Sequence, residues 1–170
     1  MLIAIISDIH DNLANLKTCL DYCRVSEVKE IICCGDITNL DTIYNLAQNF
    51  LGEIFVISGN ADLYEEKDLN KFSNLSYYGE IAIIELAGLN IALCHEPEKI
   101  KKVKELAPLP LDFIFYGHTH KPWIEHDGKT IIANPGNLAG VFNAATFAIL
   151  ETDTKNLELK IVADLATSEL

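Results

Sequence analysis

Leu2-Ile3-Ala4-Ile5-Ile6-Ser7-Asp8-Ile9-His10 opens the chain with an unbroken apolar run that meets a serine, a carboxylate and an imidazole within four residues. A short apolar run that stops at a polar cluster has the pattern of a buried strand. Beyond it, Leu13, Leu16, Cys19, Leu20 and Cys23 recur at helical spacing, so an amphipathic helix follows the strand. The same unit then repeats. Residues 31–34 are apolar and end at Gly35-Asp36, and Ile43, Leu46, Ala47 and Phe50 form a second helical stripe. Asp41 is expected as the N-cap of that helix and Gly52 as its C-terminal stop. Residues 54–57 read as a third strand that ends at Ser58-Gly59-Asn60. Strands alternating with helices predict right-handed βαβ units and a parallel sheet. In such sheets ligands bind beyond the carboxyl ends of the strands.

The second half is richer in strands. Residues 81–86 and 91–94 are expected to pair across Gly88, and a charged helix over 98–106 stops before Pro108 and Pro110. Residues 113–116 form another short buried run. Residues 123–126 and 130–133 flank Asp127-Gly128, a strong hairpin signal, and 147–150 and 157–162 flank a second polar turn. Residues 63–76 are polar with weak periodicity and read as a loop, a short helix or a cover. With no internal repeat and no linker rich in Pro, Gly or Ser, residues 1–170 read as one α/β domain, a mixed sheet or two facing sheets flanked by helices.

Composition narrows the function. The 170 residues are 49% hydrophobic and 22% charged, enough to bury a core. Thirteen Lys and Arg against 25 Asp and Glu leave a net charge of −12, a field that repels phosphate backbones, so long nucleic acid is not expected as a partner. Arg24 is the only arginine, so a phosphate group would have to be held by metal ions or backbone amides. The longest apolar-rich stretch, 81–93, is interrupted by Glu85 and Asn90, and the first strand has no basic segment before it. Neither a membrane span nor a secretory signal is expected, and the location is read as cytoplasmic. Cys19, Cys23, Cys33, Cys34 and Cys94 lack a C-x-x-C spacing and are expected to be buried, reduced thiols.

The chemistry gathers where strands end. Asp8-Ile9-His10, Gly35-Asp36, Gly59-Asn60, His95 and Gly117-His118-Thr119-His120 each follow a predicted strand. In an extended segment residues i and i+2 point the same way, so Asp8 with His10, and His118 with His120, are expected to present paired ligands. Taken singly these are weak signals: an Asp after a strand is often a helix cap, Gly-Asp a turn, and a lone histidine a satisfied core residue. Together, Asp8, His10, Asp36, Asn60, His95, His118 and His120 are too many donors for one tetrahedral ion and suit two ions sharing a carboxylate.

This pattern, D-x-H, G-D, G-N, H and G-H-x-H, resembles that of the calcineurin-like metallophosphoesterases, and among them the small single-domain phosphodiesterases of bacteria and archaea. The resemblance covers nearly the whole chain. It implies a four-layer sandwich of two mixed β-sheets flanked by α-helices. It also implies one ion held by Asp8, His10, Asp36 and His120 and a second by Asp36, Asn60, His95 and His118, with Asp36 as the bridge. The implied activity is metal-dependent hydrolysis of small phosphodiesters by a hydroxide that the two ions activate, with Asn60 also offering its amide to the phosphate. Manganese is the first expectation for the metal, and the mixed ligands also accommodate iron, zinc, nickel or cobalt. Asn134-Pro135-Gly136 is similar to a late loop of the family.

Two departures stand out. Many relatives continue the Gly-Asn pair with a histidine that protonates the leaving group, whereas here Ala61-Asp62 follows. Asp62 is then the nearest titratable group and a candidate proton donor, with solvent water or a metal-bound water as the alternatives. Asn137 replaces the serine common after Asn-Pro-Gly. Specificity is expected from the loops 63–76 and 137–146. The same fold also serves as a protein-interaction scaffold in a retromer subunit, and this is the alternative reading; the full ligand set favours the enzyme. Among the remaining residues, His126 is expected at the surface, Asp11 and Asn12 as caps of the first helix, Cys94 in the core, and Lys99, Lys101, Lys102 and Lys104 on a solvated helix face. Asn12 touching phosphate is the alternative for that residue. Leu138, Val141 and Phe142 are read as a homo-oligomer contact or as core.

Overall fold

The computed structural model describes residues 1–166. In chain order the elements are β1 (Leu2–Ile6), α1 (Leu13–Val25), β2 (Glu30–Cys33), α2 (Leu40–Asn49), β3 (Glu53–Val56), α3 (Glu66–Leu69), β4 (Leu75–Tyr77), β5 (Ile81–Leu86) and β6 (Leu89–Cys94). A 3-10 turn at Pro97–Lys99 leads into α4 (Ile100–Leu106), β7 (Phe113–Phe115), β8 (Trp123–Asp127), β9 (Thr130–Asn134), β10 (Thr146–Glu151), β11 (Asn156–Ile161) and α5 (Val162–Ala166). The strands form a six-stranded sheet, β11-β10-β1-β2-β3-β4, and a five-stranded sheet, β5-β6-β7-β9-β8. Both are mixed: β1 to β4 run parallel with antiparallel β10 and β11 beside them, and parallel β6, β7 and β9 carry antiparallel edges.

The period of two along the first strands sorts the side chains into two cores. Ala4, Ile6, Ile31, Cys33, Ile54 and Val56 pack against Leu16, Cys19 and Leu20 of α1 and Ile43 and Leu46 of α2. Their neighbours Ile3, Ile5, Ile32 and Ile57 face Ile91, Leu93, Phe113 and Phe115 of the second sheet. That sheet's outer face, with Ala92, Cys94, Ile114 and Ile132, is covered by Val103 of α4. The result is the expected four-layer sandwich, helix on sheet on sheet on helix. Strands buried on both faces read as continuous apolar runs, which is why β1, β2 and β3 were visible in the sequence.

Several details differ from expectation. Helix α2 starts at Leu40 with Asn39 as its N-cap, and Asp41 lies inside the first turn. Asp11, expected to cap α1, instead reaches α2, accepting from the Asn39 amide at 3.1 Å and from the Thr42 hydroxyl at 2.5 Å. Asn12 alone caps α1, accepting from the Asn15 amide at 3.1 Å. Helix α2 ends at Asn49 with an extended Phe50 as its C-cap, so Gly52 lies beyond the stop. The stretch 63–76 contains α3 and enters β4, a three-residue strand of half-buried side chains that is too short to show alternation. All five cysteines are free and buried, and burial pushes the Cys94 thiol up to about 12, which keeps it protonated and unreactive. No helix among the described residues is long and apolar enough to cross a membrane.

Candidate metal centre

The carboxyl ends of β1, β2 and β3 meet those of β6 and β7, and every expected ligand lies in one of the loops leaving these strands. Asp8 and His10 follow β1, Asp36 follows β2, Asn60 follows β3, His95 follows β6, and His118 and His120 follow β7. Asp8, Asp36 and His95 are buried at 0%, 2% and 1% exposure, so two carboxylates lie beneath the protein surface with no lysine or arginine ion pair among the described residues.

Two adjoining groups result, Asp8 with His10 and His120, and Asp8 with Asp36 and His95, the donor atoms of each lying within 4.8 Å of one another. His120 Nε2 is 3.3 Å from Asp8 Oδ1, and His10 Nε2 is 3.2 Å from His120 Nε2. Asp8 belongs to both groups, and Asp36 Oδ2 of the second lies 3.7 Å from His10 Nε2 of the first and 3.2 Å from His95 Nε2. Asn60 Oδ1 completes the cluster, 3.1 Å from His95 Nε2 and 2.8 Å from His118 Nδ1.

The backbone does not deliver these side chains as the sequence suggested. Asp8, His10, Asp36, His118 and His120 have φ values of 52°, 42°, 54°, 66° and 56°, in the left-handed region rather than in extended segments. The chain therefore turns sharply as each strand ends, and the turn rather than the pleat aims the ligands inward. Non-glycine residues in this region cost about 1 kcal/mol or more each, and such conformations persist where their surroundings over-determine them. Here the amides of Ile9 and His10 both donate to the Asp36 carbonyl, at 2.9 and 3.1 Å, and the His118 amide donates to Asp8 Oδ2 at 3.1 Å. The close approach also requires glycine: a Cβ on Gly59 would lie 2.0 Å from Asp36 Oδ1, and one on Gly117 2.0 Å from Ser7 Oγ.

Electrostatics set the buried groups apart. Burial, reinforced by the neighbouring Asp36, holds the Asp8 carboxyl above its ordinary range despite the pull of His95 and His120. Burial also pushes Asp36 upward, but hydrogen bonds from His95 and the Ala61 amide, with the charges of His95 and His10, outweigh it and leave Asp36 below the usual carboxylate range. His95 is raised: burial opposes its charge, and Asp36, the Cys34 carbonyl and Asp8 together prevail.

The donor set fits divalent cations. His95 Nδ1 lies 2.7 Å from the Cys34 carbonyl, an acceptor only, so this nitrogen carries the ring's N–H and Nε2 is the atom left to accept a metal ion. That lone pair faces Asp36 Oδ2 and Asn60 Oδ1, so a cation is needed between the three: a proton on His95, as its raised pKa favours, or a metal ion. His10 Nε2 and His120 Nε2 likewise face each other, and the buried His120 Nδ1 has no hydrogen-bond partner among the described residues. Imidazole nitrogen with carboxylate and amide oxygen is the chemistry of first-row divalent metals.

Asp62 has a different place. Its Oδ1 accepts from the Thr38 amide at 2.9 Å and its Oδ2 from the Gly59 amide at 2.7 Å. The carboxylate ties the loop after β2 to the loop after β3, and this geometry gives no support to a proton-donor role for it. Asn12 Nδ2 donates to the Ala139 carbonyl at 2.9 Å, and so is engaged in the fold rather than free for phosphate. His126 is exposed and Cys94 buried, as expected. Sequence reasoning missed the support of the His118–His120 turn. Asn134 Nδ2 donates to the Gly117 carbonyl at 2.7 Å, and Asn137 Nδ2 to the His120 carbonyl at 2.9 Å. The only signal for either was their position in and after the Asn-Pro-Gly loop.

Two mixed sheets that close over a cluster of imidazoles and carboxylates at their strand ends define a metal-dependent phosphoesterase architecture. Residues 1–155 match the calcineurin-like phosphoesterase superfamily domain, and the chain belongs to that superfamily. A phosphodiesterase of Methanocaldococcus jannaschii is 28% identical over 162 residues, which cover 91% of this chain and 95% of the relative. The solved structure of an archaeal phosphodiesterase superposes with a TM-score of 0.84 at 26% identity, over 95% of this chain and 99% of that one. Zinc-complexed Vps29 from Entamoeba histolytica shares the fold, with a TM-score of 0.69 at 20% identity over 94% of this chain and 90% of that one.

Proposed function

We propose that this protein hydrolyses small phosphodiesters, with one divalent ion held by Asp8, His10, Asp36 and His120 and a second by Asp36, Asn60, His95 and His118. The observation that carries the reading is the position of Asp36 Oδ2 near both His10 Nε2 and His95 Nε2, at 3.7 and 3.2 Å, one carboxylate oxygen within reach of an imidazole from each proposed ligand set. When bound, the ions supply a nucleophile activated at neutral pH and positive charge against the phosphoryl oxygens. Manganese is the first choice, with iron, zinc, nickel and cobalt compatible with the same donors.

The chain's own residues orient that chemistry. The Cys34 carbonyl fixes the His95 tautomer, and the Ala61 amide, 2.7 Å from Asp36 Oδ1, leaves Oδ2 to serve both groups. Asn60 turns its carbonyl oxygen toward His95 and His118, which leaves its amide as a donor for a phosphoryl oxygen. Asp62 positions the Gly59-Asn60 turn. With both its oxygens engaged by amides, the leaving group takes its proton from solvent. This favours phosphodiesters with good leaving groups over alkyl monoesters.

Residues 1–170 are read as one such unit. A net charge of −12 suits a small substrate better than long nucleic acid, and free, buried cysteines suit the reducing cytoplasm. The likeness to Vps29 keeps a scaffold as the competing reading, but burying Asp8 and Asp36 together costs stability that a scaffold without metal has no need to bear.

The test is hydrolysis of an aryl phosphodiester by metal-stripped protein, with and without manganese, alongside Asp36→Asn. Activity that requires metal and falls by at least about 100-fold in the variant is expected. Folded protein inactive with every divalent metal would replace the enzyme with the scaffold.

A further inference from the structure

Phe142 lies on the loop between β9 and β10 with 92% of its surface exposed, and its φ of 65° is one that a bulky side chain rarely adopts. The sequence left it as core or oligomer contact, and exposure excludes the core. Strain of this kind persists where the surroundings hold it, and here they do. Asn137 Oδ1 accepts from the amides of Gly140 and Val141, at 2.6 and 3.0 Å, and Asn137 Nδ2 donates to the His120 carbonyl at 2.9 Å. On the other side of Phe142, Asn143 Nδ2 donates to the same carbonyl at 3.1 Å. The exposed ring is thus anchored from both flanks to a residue of the candidate metal centre. Its centroid is 6.1 Å from that of the His120 imidazole, the two planes tilted by 44°. Since His120 Nε2 is 3.3 Å from Asp8 Oδ1, Phe142 stands one imidazole away from the ligand cluster, at its rim.

We propose that Phe142 is a specificity-determining residue, an aromatic platform on which a planar ester group of the substrate, an aryl ring or a nucleobase, stacks while the phosphate occupies the metal centre. The proposal rests on the phosphodiesterase reading and names its substrate class. Arg24 is the chain's one arginine, and Lys121, the lysine next to His120, lies over the Trp123 ring at 5.4 Å, so Phe142 supplies an apolar contact for an ester group at the rim of the cluster. A stacked ring pair corresponds to a preference of about 3- to 10-fold.

The experiment compares calorimetric binding of phenylphosphonate and methylphosphonate to manganese-loaded protein, two probes that share a headgroup and differ by the ring. The wild type is expected to bind the phenyl compound about 3- to 10-fold more tightly. Phe142→Ala should abolish the preference with methylphosphonate affinity unchanged, and Phe142→Trp should restore it. A wild type that binds neither probe or shows no preference overturns the assignment. So does a Phe142→Ala variant that keeps the preference, including one that changes only its oligomeric state. Because the readout is binding, protein that shows the preference but cleaves no phosphodiester upholds the platform and overturns the phosphodiesterase reading. Active protein without the preference overturns the platform alone.

Discussion

Asp62 stands two residues beyond Asn60, yet it commits both carboxylate oxygens to main-chain amides, those of Thr38 and Gly59. Its proximity in sequence suggested acid catalysis; its hydrogen bonds support the proposed positioning role. The two roles separate in Asp62→Asn. The amide replaces one accepting oxygen with a donor that faces another N–H, which should lower unfolding stability by about 1–3 kcal/mol. As a positioning residue, Asp62 should leave the ratio of rates on esters with good and poor leaving groups unchanged, even if both rates fall. A selective loss on the poor leaving group would return the proton-donor role to Asp62. The candidate ligands themselves were legible because Asp8, Asp36 and His95 each interrupt or end an apolar run at a predicted strand end. Their left-handed backbone was not, since Asp and His enter that region in ordinary turns and no neighbouring residue marks it. The Asn134 and Asn137 contacts were hidden for another reason: they join residues 15 or more positions apart through side chains common in any loop.

Among elements, those buried on both faces could be read from their apolar runs, and of the edge strands β5, β8 and β11 were marked by the turns beside them, whereas β4 was not. β1, β2 and β3 each show an apolar run, and α1 and α2 each show a stripe, because packing dictates those residues. β4 has three half-buried residues and no pattern, but it has a traceable structural role. As the chain approaches it, Asn74 Nδ2 lies 3.1 Å from the Ala47 carbonyl and 2.9 Å from the Phe50 carbonyl, satisfying groups left open at the end of α2. Asn74→Ala should therefore destabilise the protein by about 1–2 kcal/mol, read as a lower denaturant midpoint with an unchanged m value. Because Asn74 holds the C-terminal end of α2, the end opposite to the Asn39 and Thr42 contacts with Asp11 in the loop after β1, metal affinity should be unaffected. A loss of metal binding in this variant would show that β4 is coupled to the site.

At the scale of the whole molecule, one apolar layer contributed by both sheets joins Ile3, Ile5 and Ile32 to Phe113 and Phe115, so the fold and the cluster at the strand ends should melt in a single transition. Metal then acts on that transition by mass action. At 100 times the dissociation constant one bound ion adds about 2.7 kcal/mol, a rise in Tm of about 5–10 °C for a protein of this size. The pH dependence has a definite sign. In the metal-free protein the raised pKa of His95 means that its proton stabilises the fold fully below the ordinary histidine value of 6.5, and that this contribution is lost as pH rises through the raised value. In the proposed site metal requires the opposite protonation state, an unprotonated Nε2, so its binding should weaken as pH falls. The lowered pKa of Asp36 keeps its contribution in place above the ordinary carboxylate range, and it is lost only as pH falls through the depressed value. The manganese-induced rise in Tm should accordingly be small at pH 5.5 and grow steadily to pH 8, as the proton on His95 gives way to the ion. Thermal unfolding with and without manganese across that range measures it. A metal shift independent of pH would mean that His95 is not a ligand, and His95→Gln should then leave the shift intact.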